Sequence, residues 1–379
     1  MSGIHFNYAG AGIPSDAVDA AMRDYVELER DLSPYEAEAH RGDAVLADVR
    51  ASIGRLMHCP PSTVALFDNA TRAWGALVTS VPLRPTDVVW VSPYDYVGNL
   101  FVLSRLRDTV GITLATIPLT PTGDLDLDWV ERHLTDDVAL VSVTHLPSCA
   151  GVVSDAAAVG ERLRGSRALY VVDGCQAVGN VDIDIAEIGC DVYTGAGRKF
   201  LSGPRGTGFA SVSDRFLADA RPLVVDVHAM RVSPDLTTVM TLSGGVDLEL
   251  AERNFAVWAG LRVALEEYLA CADRTRQRRL DLLARIEATV DELPQTRRLG
   301  NGSRRSGTCS MILDGPDPAK VYHRLLERGV RTWVGRGEHT PLFAPGEGAD
   351  EFLRVSLAAR TTEEETERLL VELRDAVTV

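Results

Sequence analysis

The stretch GAGRKFLSGPRGTG, residues 195–208, sets a lysine between Arg198 and Phe200 in a run crowded with glycine. The chain has 39 lysines and arginines in 379 residues, and only Lys199 and Lys320 among them are lysines. A chain that uses arginine almost everywhere else keeps lysine where an amine is needed, because an amine sheds its proton and becomes nucleophilic while a guanidinium does not. Lys320 stands on a polar helix start and reads as a surface residue, which leaves Lys199 as the candidate for chemistry.

Two further segments supply groups that would act with such an amine. YVVDGCQAVG (170–179) ends an apolar run with Asp173, a carboxylate delivered where a parallel sheet opens toward a cleft, and Gln176 follows three residues later. FDNATRAWGAL (67–77) places Asn69, Ala70, Thr71 and Arg72 at a helix start, where unpaired amides and the helix dipole attract a phosphate. An acid able to keep a ring nitrogen protonated, a lysine amine and a phosphate site are together the requirements of pyridoxal phosphate chemistry.

The surrounding pattern is that of an α/β protein. VVWVS (88–92), ITLATI (112–117), VALVSV (138–143), ALYVV (168–172), DVYTG (191–195) and TGFASV (207–212) are near-continuous apolar runs, as strands covered on both faces require. From about Val246 long helical patterns take over, at 248–272 and 274–293. They are followed by short strands near 309–313 and at FLRVSL (352–357), and by TTEEETERLLVELRDAV, an amphipathic helix with threonine at its cap.

Asp173, Gln176, Lys199 placed 26 residues after Asp173, and the trailing GPRGTG resemble the class V aminotransferase superfamily of fold type I pyridoxal phosphate enzymes. The resemblance implies a large domain (14–250) with a mixed, mainly parallel seven-stranded sheet and a small α+β domain built from both termini (1–13 and 251–379). It also implies a homodimer with active sites at the interface. It assigns Lys199 to the cofactor aldehyde and to the Cα proton, and Asp173 to the ring nitrogen. PYDYVGN (93–99) supplies Tyr96 to stack on the ring and Asn99 toward the substrate, and THLPSCAG (144–151) brings Ser148, with Gln176, to the ring oxygen. Ala70, Thr71, Arg72 and Arg198 take the phosphate, LRVSL (353–357) supplies Arg354 for the substrate carboxylate, and FNYAGAG (6–12) lines the pocket with Tyr8. His145 reads as a structural histidine rather than a base. Two departures stand out. Many members have Ser-Gly-His before the lysine, where this chain has Ala196-Gly197-Arg198, so a phosphate-binding hydroxyl is missing; and LSGG (242–245) replaces the usual Gly-Thr-Pro loop lent by the partner subunit.

Composition sets outer limits. A formal charge of −15 argues against a broad nucleic-acid or anionic-membrane surface. The amino-terminal MSGIHFNYAG has no signal-peptide pattern, and no apolar run reaches membrane-spanning length, so a cytoplasmic protein is expected. Cys59, Cys149, Cys175, Cys190, Cys271 and Cys309 are too scattered for a zinc site, and no metal is expected.

The reaction is less constrained. Cysteine desulfurases of the superfamily carry a nucleophilic cysteine on a loop shortly before the carboxylate-binding arginine. Here no cysteine follows Cys309, and RGEHTPLFAPGEGAD (336–350) fills that place, which disfavours a persulfide route. TGAGRKFLSGPRGTG (194–208) with DLELAERNFAVWAGLRVAL (247–265) resembles the branch containing the ergothioneine carbon–sulfur lyase, isopenicillin N epimerase-like proteins and pyridoxal phosphate enzymes of lincosamide antibiotic biosynthesis. That branch implies β-elimination from a cysteine S-conjugate in sulfur-containing natural product metabolism. The alternatives are decarboxylation-coupled oxidative deamination, epimerisation or transamination, and a binding protein that keeps the fold without catalysis.

Overall fold

The computed structural model describes residues 3–378. Seven strands make the large sheet: β1 (Val64–Phe67), β2 (Val88–Val91), β3 (Thr113–Thr116), β4 (Val138–Thr144), β5 (Leu169–Asp173), β6 (Val192–Ala196) and β7 (Gly208–Val212). Their order across the sheet is β1-β7-β6-β5-β4-β2-β3. Every pairing is parallel except the two made by β7, which runs antiparallel to β1 and β6. Six of the seven coincide with apolar runs of the sequence. The strand missed is β1, four residues that follow a Pro60-Pro61 turn and find their partner, β7, far along the chain.

Strands β4 to β7 are buried along their whole length. Because successive side chains alternate between faces, Tyr170 and Val172 of β5 join one cluster with Tyr25, Val49, Phe209 and Trp258. Leu169 and Val171 join the other, with Trp74, Leu77 and Phe216. The helices that cover the two faces include α1 (Asp16–Leu32), α2 (Asp43–Met57), α3 (Ala70–Thr79) and α4 (Val97–Val110).

The helical tract expected over 248–272 resolves into α5 (Phe255–Leu269). Phe255 stacks on Tyr25 of α1 at 5.8 Å, and Phe255, Trp258 and Leu261 lie in the same cluster as β5 and β7. Helix α5 therefore packs on α1 and α2 within the cluster that lies on one face of the large sheet. The second unit gathers around α6 (Ala272–Glu292), whose Leu282 and Ile286 share a core with Ile4, Phe6 and a small antiparallel sheet. That sheet contains β8 (Thr296–Arg298), β9 (Thr308–Leu313), β10 (Trp333–Arg336) and β11 (Glu351–Ser356), in the order β8-β9-β11-β10. Its last helix, α7 (Glu363–Thr378), has a capping box: Thr362 Oγ1 accepts the Glu365 N–H at 3.1 Å, and the Thr362 N–H donates to the Glu365 carboxylate at 2.9 Å. Tyr94, Cys149 and Val152 pack with Ile312, Phe343 and Phe352, so the carboxyl ends of the large sheet meet one face of the small one.

A buried ion trio ties three parts of the large unit together. Glu249 accepts from Arg50 at 2.7 Å, from Arg253 at 2.8 Å and from the Leu66 N–H of β1 at 2.9 Å. Removing the carboxylate leaves two guanidiniums with no counter-charge, a situation that costs about 3–5 kcal/mol. Glu249→Ala is expected to lower stability by that amount in a urea titration, and a loss below about 1 kcal/mol would show that the trio contributes only what an exposed pair does.

Candidate active site

A cavity of 620 Å³ opens at the carboxyl ends of β4, β5 and β6, between the two units. Asp173, the last residue of β5, is buried on its wall. One of its carboxylate oxygens accepts from the Asn99 amide at 2.7 Å and the other from the Cys175 N–H at 2.9 Å, so its orientation is set from two sides. Asn99, expected among the substrate contacts, lines the cavity and donates its side-chain N–H to Asp173. Buried Asp95 sits behind, accepting from the Ser142 and Thr144 hydroxyls, and burial pushes it up to about 7.

Lys199 comes three residues after β6, in a turn closed by the Ser202 N–H to the Lys199 carbonyl (2.9 Å) and the Gly203 N–H to the Gly197 carbonyl (2.9 Å). A Cβ at Gly197 would fall 2.4 Å from Thr207 Oγ1, so close approach demands glycine there. Burial lowers the Lys199 pKa against the opposing pull of Cys175 and Asp173, while Arg198 and Arg354 lower it further. No acidic side chain pairs with Lys199 among the described residues. Its amine is therefore a better nucleophile near neutrality than a solvated one.

At one end of the cavity α3 begins. Asn69 caps it, accepting the Arg72 N–H at 2.9 Å, and its carbonyl takes the Ala73 N–H. Ala70 and Thr71 line the cavity with first-turn amides that the helix cannot satisfy. Arg72 does not belong with them. Its N–H is used by the cap, and its guanidinium pairs with Asp68 at 3.5 Å on an exposed surface, because residue 72 falls on the outer side of the turn. Strand β7 runs so close that a Cβ on Gly208 would lie 2.3 Å from the Asn69 carbonyl carbon.

Arg354, in β11, is buried in the opposite wall. Its guanidinium donates to the Ser148 carbonyl (2.7 Å) and to Asn7 Oδ1 (3.2 Å), Nε has no partner, and burial draws its pKa down to about 10. A buried cation held only by neutral acceptors is a receptor for an anion. Tyr96, just before α4, lines the cavity with its ring 6.2 Å from that of His339. Gln176 also lines it, with Nε2 donating to the Ala9 carbonyl at 3.0 Å and Oε1 buried without a partner. Arg198 lines it too, held by the Gly10 carbonyl.

Tyr8 lies outside the cavity. It is buried against Phe200 and Ala358 and packs edge-on to His5, which leaves Ala9 and Gly10 to represent this segment at the site. His145 is also outside, hydrogen-bonded to the Tyr193 hydroxyl at 2.8 Å and pushed by burial down to about 4, hence neutral. Arg205 and His339 line the cavity although no local pattern marks either one. Among the described residues no group of three or more His, Cys, Asp or Glu side chains is arranged to hold a metal ion, and no helix is long and apolar enough to cross a membrane.

A family profile described as aminotransferase class-V matches residues 5–369. The chain belongs to this family. Among its relatives, a probable hercynylcysteine sulfoxide lyase of Mycobacterium tuberculosis is 29% identical over 350 residues, 91% of this chain and 84% of the relative. A probable cysteine desulfurase of Xylella fastidiosa (strain 9a5c) is 28% identical over 329 residues, 86% of this chain and 78% of the relative. The apo cysteine desulfurase of Thermococcus onnurineus NA1 superposes with a TM-score of 0.89 at 20% identity, covering 99% and 95% of the two chains. The cystine C–S lyase C-DES, in a form with glycine covalently linked to its pyridoxal phosphate, gives 0.85 at 21%, covering 98% and 96%. These superpositions show fold type I.

The cofactor of this class-V aminotransferase-family enzyme is pyridoxal phosphate, and the cavity fits it. Lys199 offers an amine with no acid attached, Asp173 a fixed carboxylate for a ring nitrogen, the first turn of α3 an anion cradle, and Arg354 an orphaned Nε. When bound, the cofactor supplies an aldehyde that captures amines and a ring that withdraws electrons from Cα.

The chain's two lysines allow an internal comparison. Since burial favours the neutral amine at Lys199, borohydride trapping of pyridoxal phosphate is expected to label Lys199 in preference to exposed Lys320. Peptide mass spectrometry across a pH series reads the ratio, and equal labelling of the two lysines would exclude a privileged amine. Lys199→Ala is expected to abolish the protein-bound visible band.

Proposed function

We propose that the protein cleaves the Cβ–S bond of a cysteine S-conjugate by β-elimination, releasing a thiol or related sulfur product and 2-aminoacrylate, which water hydrolyses to pyruvate and ammonia. The observation that carries this reading is a cavity with an amine, a carboxylate and a carboxylate receptor but no thiolate. Cys175, the one thiol lining it, is held protonated by burial and by the neighbouring Asp173. Burial pushes Cys149 up to about 11 and Cys309 up to about 12. The loop between β10 and β11 presents His339 rather than a cysteine. An enzyme thiol that accepts sulfur is therefore missing, and the sulfur leaves with the group it carries. The sulfoxide lyase and cysteine desulfurase names among the relatives agree with chemistry at a carbon–sulfur bond.

In this reading Arg354 grips the substrate carboxylate, Lys199 takes the Cα proton, and Asp173, oriented by Asn99, holds the ring nitrogen charged. Tyr96 covers the ring face, Ser148 and Gln176 stand at the ring oxygen, and Ala70, Thr71 and Arg198 hold the phosphate. Trp333 lies directly across the β10–β11 ladder from Arg354, so their side chains share a face. A substrate anchored by its carboxylate thus sends its sulfur substituent toward Trp333, Tyr94 and His339, which favours a bulky conjugate over cysteine itself. A homodimer belongs to the same reading. Leu223, Leu236 and Val239, 93%, 80% and 61% exposed around the hairpin Met230–Met240, present apolar surface that a second copy would cover.

Holoenzyme given S-benzylcysteine or S-methylcysteine is expected to form pyruvate and the matching thiol in equal amounts. Carbon dioxide with an aldehyde would instead establish oxidative deamination. Trp333→Ala is expected to raise KM for the benzyl conjugate about tenfold, the worth of one aromatic contact, and to leave the methyl conjugate within about twofold.

A further inference from the structure

We infer that Arg205 is a phosphate ligand of the cofactor, forming with Arg198 a two-guanidinium clamp in place of the hydroxyl that Ala196 lacks. The inference rests on pyridoxal phosphate binding alone and is independent of which substrate bond breaks.

The backbone carries Arg205 to the start of α3. The segment that enters β7 passes against the first turn of that helix, so tightly that a Cβ at Gly208 would lie 2.4 Å from the Ala70 amide nitrogen. Gly206, at φ +87°, bends the chain just before this contact. Arg205 accordingly lines the same end of the cavity as Asn69, Ala70 and Thr71. Arg198 reaches the cavity from the other side of the Lys199 turn and is braced by the Gly10 carbonyl.

The charges here are unbalanced. Neither Arg198 nor Arg205 has a carboxylate partner among the described residues. Asp68, the acid lining this end, pairs with Arg72, while Asp173 is occupied by Asn99 and the Cys175 amide. Burial and the charge of Arg205 both lower the pKa of Arg198, as expected of two neighbouring guanidiniums with no counter-ion. Arg205 stands near the positive end of a ten-residue helix, which adds to the repulsion. An anion with two charges and several acceptor oxygens relieves all three terms, and a phosphate monoester matches the planar fork of a guanidinium. In a chain of formal charge −15, leaving both arginines unpaired at one spot is a specific arrangement rather than a general basic surface.

The test compares two ligands that differ only in the phosphate. Full-length protein freed of cofactor is titrated with pyridoxal phosphate and with pyridoxal, binding being read from the visible absorption and from quenching of tryptophan fluorescence. Arg205→Ala is expected to weaken pyridoxal phosphate about 10- to 100-fold, the loss of one or two charge-assisted hydrogen bonds, and to leave pyridoxal within about twofold. Inorganic phosphate should compete with pyridoxal phosphate less well in the variant than in the parent protein. Arg205→Lys, which keeps the charge and loses the fork, is expected to fall between parent and alanine variant. Unchanged pyridoxal phosphate affinity in Arg205→Ala would overturn the inference, and so would an equal loss for both ligands, which marks a structural role. If Arg205 instead serves a distal acid group of the substrate, cofactor affinity stays at the parental value and the inference fails.

Discussion

The site depends on the register of β5 against β6, in which Asp173 lies opposite Thr194. Parallel strands joined by a crossover run in the same direction and so end at the same edge of the sheet. The last carboxylate of β5 and the turn that follows β6 are therefore presented to the same cleft, with Lys199 carried a fixed few residues past the ladder. A slip of β5 by one residue would turn the Asp173 side chain to the opposite face of the sheet, away from the Lys199 turn. The flanking constraints serve this alignment: the Gly197 approach to Thr207, the turn closed onto the Lys199 carbonyl, and the Asn99 amide that fixes the carboxylate.

Around that pair the chain distributes charge against its own average. Arg198, Lys199, Arg205 and Arg354 all line one cavity, and none of the four has an acidic partner among the described residues. Elsewhere arginines are routinely matched, as Arg215 is with Asp191 and Arg305 with Glu287. Arg354 is buried, Arg198 and Lys199 are half-buried and Arg205 is exposed at the cavity, and bringing like charges together in one cleft is unfavourable unless bound anions complete the site. The cofactor phosphate and a substrate carboxylate would be those anions, at opposite walls of the cleft.

The second unit contributes through position rather than motif. Its small sheet docks on the ends of the large one through the Tyr94, Cys149, Ile312 and Phe352 cluster, which brings Arg354 and Trp333 to a cavity whose other side is built by β4 to β6. Helix α5, which follows the large sheet in the chain, packs with α1 and α2 in the cluster on one face of that sheet. A helical pattern reveals an apolar face but not its partner, and Phe255 and Trp258 join the cluster that Tyr25 of α1 and Tyr170 of β5 share.

Legibility follows the range of the forces involved. The buried strands, the helix starts, and the groups Asp173, Gln176 and Lys199 could be read from residues alone, because apolar continuity, capping and the scarcity of lysine are local facts. The fold family was legible through resemblance, because Asp173, Gln176, Lys199 and the trailing GPRGTG are similar to the class V aminotransferase pattern. Edge strand β1, the hydrogen bond from Asn99 to Asp173, the outward course of Arg72, the burial of Tyr8, and the arrival of Arg205 and His339 at the cavity could not. Each of these depends on which distant segment packs against which, a matter of register and docking between elements far apart in the chain, and no short stretch of sequence carries that information.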